Sequence, residues 1–213
     1  PHLNYNYPLH VDEWVHFTYA KHISDSSPLY FQGQEVSLET GFHYLLAVLS
    51  YFIPYLILFK IFASFLTVLV CLGVFILVRR IWTERAALFS VLFIALLKSS
   101  VLLLGPMFAV PMSIGLFLIP IGLFLAMYNN KALFLIVAVL AILHPPSLIA
   151  MLILINLYLL IERKNVKGTI IQQLIGLLIS LPLYLDFFRY NEVGVNYLNF
   201  GMEYGLIFVP LYL

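Results

Sequence analysis

Solid apolar runs separated by short polar turns fill this chain from residue 57 to about 185, and another apolar run begins near residue 204. Such runs predict membrane-spanning helices, since a span needs about 20 predominantly apolar residues. The runs and the breakers between them place crossings at roughly 57–78, 85–104, 109–127, 131–143, 146–161 and 168–185, with another beginning near 204. A closed barrel would need alternating apolar and polar residues. The predicted fold class is therefore all-α, a polytopic transmembrane helical bundle of about six complete spans and the start of another.

Residues 1–56 are more polar and aromatic, and they predict a loop that carries juxtamembrane helices. A helix is expected from near Asp12 to about Ser24, because acidic residues favour the first turn of a helix. The stretch from Gly41 to Phe52 is apolar but too short to cross a membrane, and tyrosines flank it. This pattern is typical of an interfacial helix.

The short runs 131–143 and 146–161 allow two arrangements. They could be two short crossings or a re-entrant pair, or they could form one helix kinked at Pro145 and Pro146. The kinked helix would put Lys131 and the basic residues that follow 161 on opposite faces, against the positive-inside rule. The charge pattern therefore favours two separate elements.

Composition agrees with a membrane protein. The chain is 63% hydrophobic and 10% charged, whereas a soluble domain carries about 25% charged residues. Its net charge of +1 gives no indication of nucleic-acid binding. The single cysteine, Cys71, excludes an intrachain disulfide or a cysteine-based metal site. The chain begins at Pro1 and stops inside an apolar run, which favours a fragment of a longer protein with helices before and after it.

Basic residues orient the predicted helices. They cluster in three loops that even numbers of crossings separate, namely Arg79, Arg80 and Arg85; Lys131; and Arg163, Lys164 and Lys167. The positive-inside rule makes these loops cytoplasmic. All acids except Glu84 and Glu162, including Asp12 and Glu13, then lie on the extracytoplasmic side. We expect an integral membrane protein, of the plasma membrane if prokaryotic, with an extracytoplasmic active site.

Asp12 and Glu13 are the candidate catalytic residues. Neighbours on a helix point about 100° apart, so they cannot share a proton as a facing pair. One could act as general base on an incoming hydroxyl while the other orients it or helps to hold a cation. The alternative is a helix N-terminus with two solvated acids. His16 lies one turn away and could pair with either, and it is also a candidate substrate-binding residue.

Other polar residues are candidates for substrate binding. His144 lies at a turn between apolar runs, where ionisable groups are often functional; the alternative is a proline-stabilised turn with the histidine at the headgroup level. Arg189 could grip a lipid phosphate with its planar guanidinium, or pair with Asp186. Lys98 could contact a phosphate or extend to the headgroups. No complete metal motif is present, so no metal ligand is assigned, although a divalent cation such as Mg or Mn is possible.

The segment His10-Val11-Asp12-Glu13 and the residues after it resemble a known superfamily. They are similar to the His-Pro-Asp-Glu element of lipid-linked-sugar mannosyltransferases and to the Asp-Glu-x-x-His-x-x-Tyr-Ala-x-x-Ile pattern of prokaryotic GT-C glycosyltransferases. The resemblance covers roughly residues 8–130. It continues through Gly41 to Leu46, similar to a second juxtamembrane helix, and through Val78 to Trp82, similar to a second transmembrane helix ending in Arg-Arg. Val11 replaces the eukaryotic proline, so the resemblance is to the superfamily.

This resemblance implies a GT-C-type glycosyltransferase. Such an enzyme takes a sugar from a polyprenyl-phosphate donor in the lipid bilayer and transfers it to a glycan, lipid or protein acceptor on the extracytoplasmic face. The catalytic acid would be Asp12 or Glu13, and Arg189, His144 or Lys98 would neutralise the phosphate. Two other classes stay open: a transporter or flippase, which predicts charged groups within spans, and a non-catalytic membrane subunit.

Overall fold

The computed structural model describes residues 10–25, 39–96, 108–163 and 165–190. Within these ranges the chain is all-α, as the apolar pattern predicts, and it forms eight helices. They are α1 (Val11–Asp25), α2 (Thr40–Ser50), α3 (Tyr55–Ile81), α4 (Glu84–Leu96), α5 (Pro111–Met127), α6 (Leu133–Leu143), α7 (Pro145–Glu162) and α8 (Val166–Tyr190). Helices α1 and α2 fall where the sequence predicts the two helices of the first loop.

Three helices among the described residues are long and apolar enough to cross a membrane: Tyr55–Ile81, Pro145–Glu162 and the part of α8 from Val166 to Tyr184. Helices α5 and α6 are apolar but shorter, with 17 and 11 residues. At 1.5 Å per residue α6 rises only about 16 Å, roughly half of a hydrocarbon core. The predicted crossing 85–104 is described only as far as Leu96, and the crossing that begins near 204 lies outside the described residues. The count of six spans therefore stays a prediction.

Helices α6 and α7 form a hairpin and not one kinked helix. The backbone turns at His144, and Pro145 is the first residue of α7. Proline is favoured at this position, because a backbone N–H there would have no partner within the helix. Gly115 of α5 lies against the α6–α7 turn, and Gly122, two turns later, lies against both Met151 and Ile136. Helix α7 therefore runs parallel to α5, and α6 runs antiparallel to both.

Contacts between loops define the two ends of the bundle. At one end, here called the site end, the backbone of Ala109 binds Glu13 of α1, and Phe42 of α2 packs against Phe62 near the start of α3. At the other end, here called the basic end, the guanidinium of Arg80 stacks on Tyr128. The three loops that the charge pattern groups together thus meet at the basic end, where Gly168 also lies beside Asn129. The side of the membrane that each end faces stays a prediction.

Candidate functional site

Side chains from three separate segments meet at the site end. They come from the first turns of α1, from the start of α2 and from the turn between α6 and α7. We call this group the polar cluster, and its members are His10, Asp12, Glu13, His16, Glu39, His43, His144 and Ser147. All of these except Asp12 and Glu39 are buried.

Glu13 is an anchor at the centre of this end. It is fully buried. Its Oε1 accepts the backbone N–H of Ala109 at 2.7 Å, and its Oε2 accepts the backbone N–H of His10 at 3.2 Å. Because a buried N–H without an acceptor is costly, the two bonds fix the start of α1 to the segment that precedes α5. A direct catalytic role for Glu13 stays a prediction.

Asp12 is the accessible acid of the pair, with 43% of its side chain exposed. Its backbone N–H donates to Nδ1 of His10 at 3.1 Å. That nitrogen is therefore unprotonated, and its 3.5 Å approach to the Asp12 carboxylate is a contact and not a hydrogen bond in the neutral imidazole. The ring of His10 rests on Phe108, with centroids 5.3 Å apart. The Asp12 carboxylate is thus held at the edge of the cluster and open to solvent.

Glu39 bridges two imidazoles, and the sequence reasoning did not identify it. Its Oε1 lies 3.3 Å from Nε2 of His144, and its Oε2 lies 3.8 Å from Nε2 of His16. His16 continues the network, because its Nδ1 lies 2.9 Å from Nε2 of His43. The signal that could have pointed to Glu39 is its place immediately before the predicted second helix of an acidic loop.

His144 caps α7 and faces Glu39 with its other nitrogen. Its Nδ1 accepts the backbone N–H of Ser147 at 3.3 Å and lies 2.6 Å from the Ser147 hydroxyl. A nitrogen that accepts is unprotonated, so the ring hydrogen is on Nε2, which faces Glu39. Ser147 is 6% exposed. Its backbone N–H completes the helix cap, and its buried hydroxyl pairs with the same nitrogen of His144.

Burial keeps the three imidazoles of the network neutral. It lowers the pKa of His16 to about 3, with a further contribution from His43 and His144. Burial alone lowers the pKa of His43 and of His144 to about 4. It also raises the pKa of Glu39, and the negative charge of Asp12 adds to that effect. His16, His43 and His144 are therefore neutral, and the Glu39 carboxyl beside them is a weaker acid than usual.

The two other candidate substrate-binding residues are not placed. Lys98 lies outside the described residues, and Arg189 lies in the last turn of α8, where only the backbone is described. Their phosphate contacts stay predictions. Across the described ranges, no group of three or more His, Cys, Asp or Glu is arranged to hold a metal ion. In the polar cluster, His16 and His43 are hydrogen-bonded to each other, and the two oxygens of Glu39 face two different imidazole rings. These potential metal ligands therefore do not converge on one point.

Comparisons of the chain with protein families, with curated proteins and with solved structures found no match.

Proposed function

We propose that this protein is an integral-membrane glycosyltransferase of the GT-C type, which transfers a sugar from a polyprenyl-phosphate donor to a hydroxyl acceptor at the site end. The observation that supports this most is the position of Asp12. It is an open carboxylate at the edge of a buried polar cluster, and three helices long and apolar enough to cross a membrane belong to the same bundle. A lipid-linked donor and a polar acceptor would meet at such an edge.

In the proposed reaction, Asp12 acts as general base. The acceptor oxygen attacks the anomeric carbon of the sugar while its proton passes to the Asp12 carboxylate. The bond between that carbon and the phosphate oxygen breaks, and polyprenyl phosphate leaves with the electron pair. Because no hydrogen bond occupies the Asp12 carboxylate within the described part of the chain, its oxygens can accept that proton.

The surrounding residues would act as follows. Glu13 is a positioning residue, since it fixes the first turn of α1 and hence Asp12. The Nε2–H of His144 now faces Glu39, and it could donate to the leaving phosphate once its contact with Glu39 is broken. Arg189 and Lys98 are the cationic candidates for the same phosphate. The low-dielectric edge of the membrane would strengthen these interactions.

A transporter is less well supported by the three long helices. In their described parts the charged side chains lie toward the ends: Lys60, Arg79 and Arg80 in α3, Glu162 in α7 and Lys167 in α8. Ion-coupled transporters carry ionisable groups inside their spans, whereas the polar pair found mid-helix here, Asn156 of α7 and Gln173 of α8 at 3.4 Å, is uncharged. The proposal of an enzyme therefore has the better support.

The test is a transfer assay on the purified full chain in liposomes, with radiolabelled polyprenyl-phosphate mannose and polyprenyl-phosphate glucose as donors. Asp12→Asn should slow transfer by about 10²–10⁴-fold, the usual contribution of a general base. Asp25→Asn is the matched control, because Asp25 is an exposed acid at the opposite end of the same helix. It should leave transfer unchanged.

Equal turnover by Asp12→Asn and the unaltered protein would remove Asp12 as the base. If the unaltered protein transfers neither sugar but moves either donor across the liposome membrane, the flippase hypothesis gains instead. If it does neither, the non-catalytic subunit is the better hypothesis.

A further inference from the structure

A cleft of about 290 Å³ at the basic end is lined by Phe75, Ile76, Arg79, Arg80, Phe124 and Tyr128. It lies between the last turns of α3 and α5, at the opposite end of the bundle from the polar cluster. The proposed glycosyl transfer makes no use of it. Its walls are aromatic and aliphatic, and its charged groups are two guanidinium groups.

The guanidinium of Arg80 is held in place and leaves its hydrogen-bond donors open. Its central carbon lies 4.7 Å from the centre of the Tyr128 ring, and Phe124 packs against Tyr128 with centroids 4.8 Å apart. A cation over an aromatic face is stabilised, and the stacking uses the face of the planar group and not its edge. Among the described residues, no carboxylate pairs with Arg80. The fork of N–H donors is therefore available to an anion.

The neighbouring charges favour Arg80 as the main contact. Arg79 lies over Phe75 at 5.9 Å, and its Nη2 is 3.6 Å from Glu84, a pair that is mostly exposed. Exposed pairs of this kind are weak. Arg79 can thus turn toward an anion in the cleft. Together with Glu84, the two arginines carry a net charge of +1.

The surroundings of the cleft indicate a lipid. Trp82, which follows α3, is 69% exposed, and exposed tryptophan at the end of an apolar helix is typical of the headgroup level of a membrane. The aliphatic and aromatic walls continue onto α3, the longest apolar helix of the described residues. A soluble phosphate would gain nothing from those walls, whereas acyl chains would pack along them.

We propose that this cleft binds the phosphate of an anionic phospholipid, with Arg80 as its bidentate partner, Arg79 as a second cation and the acyl chains along α3. Basic pockets between membrane helices suit this class of ligand. The proposal does not rest on the glycosyltransferase hypothesis, because the cleft and the polar cluster lie at opposite ends of the bundle.

Trp82 provides the measurement. In a Trp14→Phe background it is the one remaining tryptophan, since the sequence has two. The purified full chain in neutral detergent is titrated with phosphatidylglycerol whose acyl chains are brominated, and quenching of Trp82 fluorescence reports binding. Brominated phosphatidylcholine, which has no net charge, should bind at least tenfold more weakly.

The variants separate a built site from general surface charge. Arg80→Gln should weaken phosphatidylglycerol binding on the order of tenfold, and Arg80→Lys, which keeps the charge but loses the fork, should give an intermediate loss. Arg85→Gln is the control, because Arg85 is an exposed arginine in the first turn of α4 with the same charge. It should change the affinity by less than about twofold.

Equal loss in Arg80→Gln and Arg85→Gln would overturn the proposal, since it would show a diffuse electrostatic attraction. Equal binding of both lipids would overturn it as well. Displacement of phosphatidylglycerol by millimolar inorganic phosphate would show that the cleft takes a soluble phosphate and not a lipid. Retention of binding in the presence of phosphate supports the lipid.

Discussion

At the scale of single residues, the two adjacent acids of α1 differ because one has backbone donors to satisfy and the other does not. Glu13 is enclosed by the backbone N–H groups of His10 and Ala109. Asp12 points about 100° away on the helix, toward solvent. The same local sequence therefore supplies an anchor and an open carboxylate, and substitutions at the two positions should have different effects.

Replacing Glu13 by Gln should destabilise the protein. The amide keeps one oxygen acceptor, but its NH₂ group would face an N–H donor that the carboxylate now satisfies. An unsatisfied buried donor costs about 1–3 kcal/mol. Thermal unfolding in detergent should show a lower Tm for Glu13→Gln and an unchanged Tm for Asp12→Asn. Equal Tm values for the two variants would show that the Ala109 bond contributes little.

Single residues also show how much of the candidate site the sequence can predict. The sequence identifies Asp12, Glu13, His16 and His144 as candidates, and the structure places these four in one cluster. It could not show that Glu13 is the buried acid, because the partner that buries it is 96 residues away. Glu39 was missed for the same reason, since its partners His16 and His144 come from distant segments.

At the scale of elements, Gly176 lets α8 approach α6 closely. At Gly176 a β-carbon would lie 2.6 Å from the carbonyl oxygen of Phe134 and 2.6 Å from the β-carbon of Val137. Small residues let membrane helices approach in this way. Farther along, the Tyr184 hydroxyl donates to the carbonyl of Ala141 at 2.7 Å, so the two helices run in the same direction.

Gly176→Ala should therefore push α8 away from α6. Overpacking of this kind costs about 1–3 kcal/mol, more than alanine gains as a helix former. Gly168→Ala is the control on the same helix, because the nearest atom there is the flexible Asn129 side chain at 3.1 Å. A clear loss of Tm for the first variant and a small one for the second is expected. The reverse order would place the tight contact elsewhere.

Helix positions follow from the apolar pattern better than helix contacts do. The pattern predicts separate elements at 131–143 and 146–161, and the structure has Leu133–Leu143 and Pro145–Glu162. The charge pattern also favours two separate elements, which the hairpin agrees with, but it could not give the contacts of both helices with α5 at Gly115 and Gly122. The apolar runs also overstate spanning length, since α6 has only 11 residues.

At the scale of the whole molecule, the buried imidazoles at the site end should make the folding stability depend on pH. The imidazoles of His16, His43 and His144 have pKa values of about 3, 4 and 4, lowered from 6.5. Below pH 6.5 the unfolded chain binds protons at these positions that the folded chain does not bind. Folding stability should therefore fall as the pH drops from about 6.5 toward 4. Glu39 opposes this, because its pKa is raised, but it is one group against three.

The measurement is Tm at pH 7.5 and at pH 5, for the unaltered protein and two variants. His16→Gln should show a smaller loss of Tm on acidification, since one buried titrating ring is gone. His22→Gln is the control, because His22 is exposed on the same helix. It should behave as the unaltered protein does. A loss of Tm on acidification that is the same in all three proteins would contradict the assignment of the effect to His16.

The orientation of the bundle is the last whole-molecule property, and the proposed donor depends on it. The positive-inside rule predicts that the basic end faces the cytoplasm and that the polar cluster faces outward.

In a Cys71→Ser background, Lys21→Cys reports on α1 and Val166→Cys on the start of α8; both positions are exposed. A membrane-impermeant maleimide added to intact cells should label Lys21→Cys at once and Val166→Cys only after permeabilisation. Labelling of both from one side would contradict the arrangement of the spans. A reversed pattern would put Asp12 in the cytoplasm, where water-soluble nucleotide sugars are available, and the polyprenyl-phosphate donor would then lose its rationale.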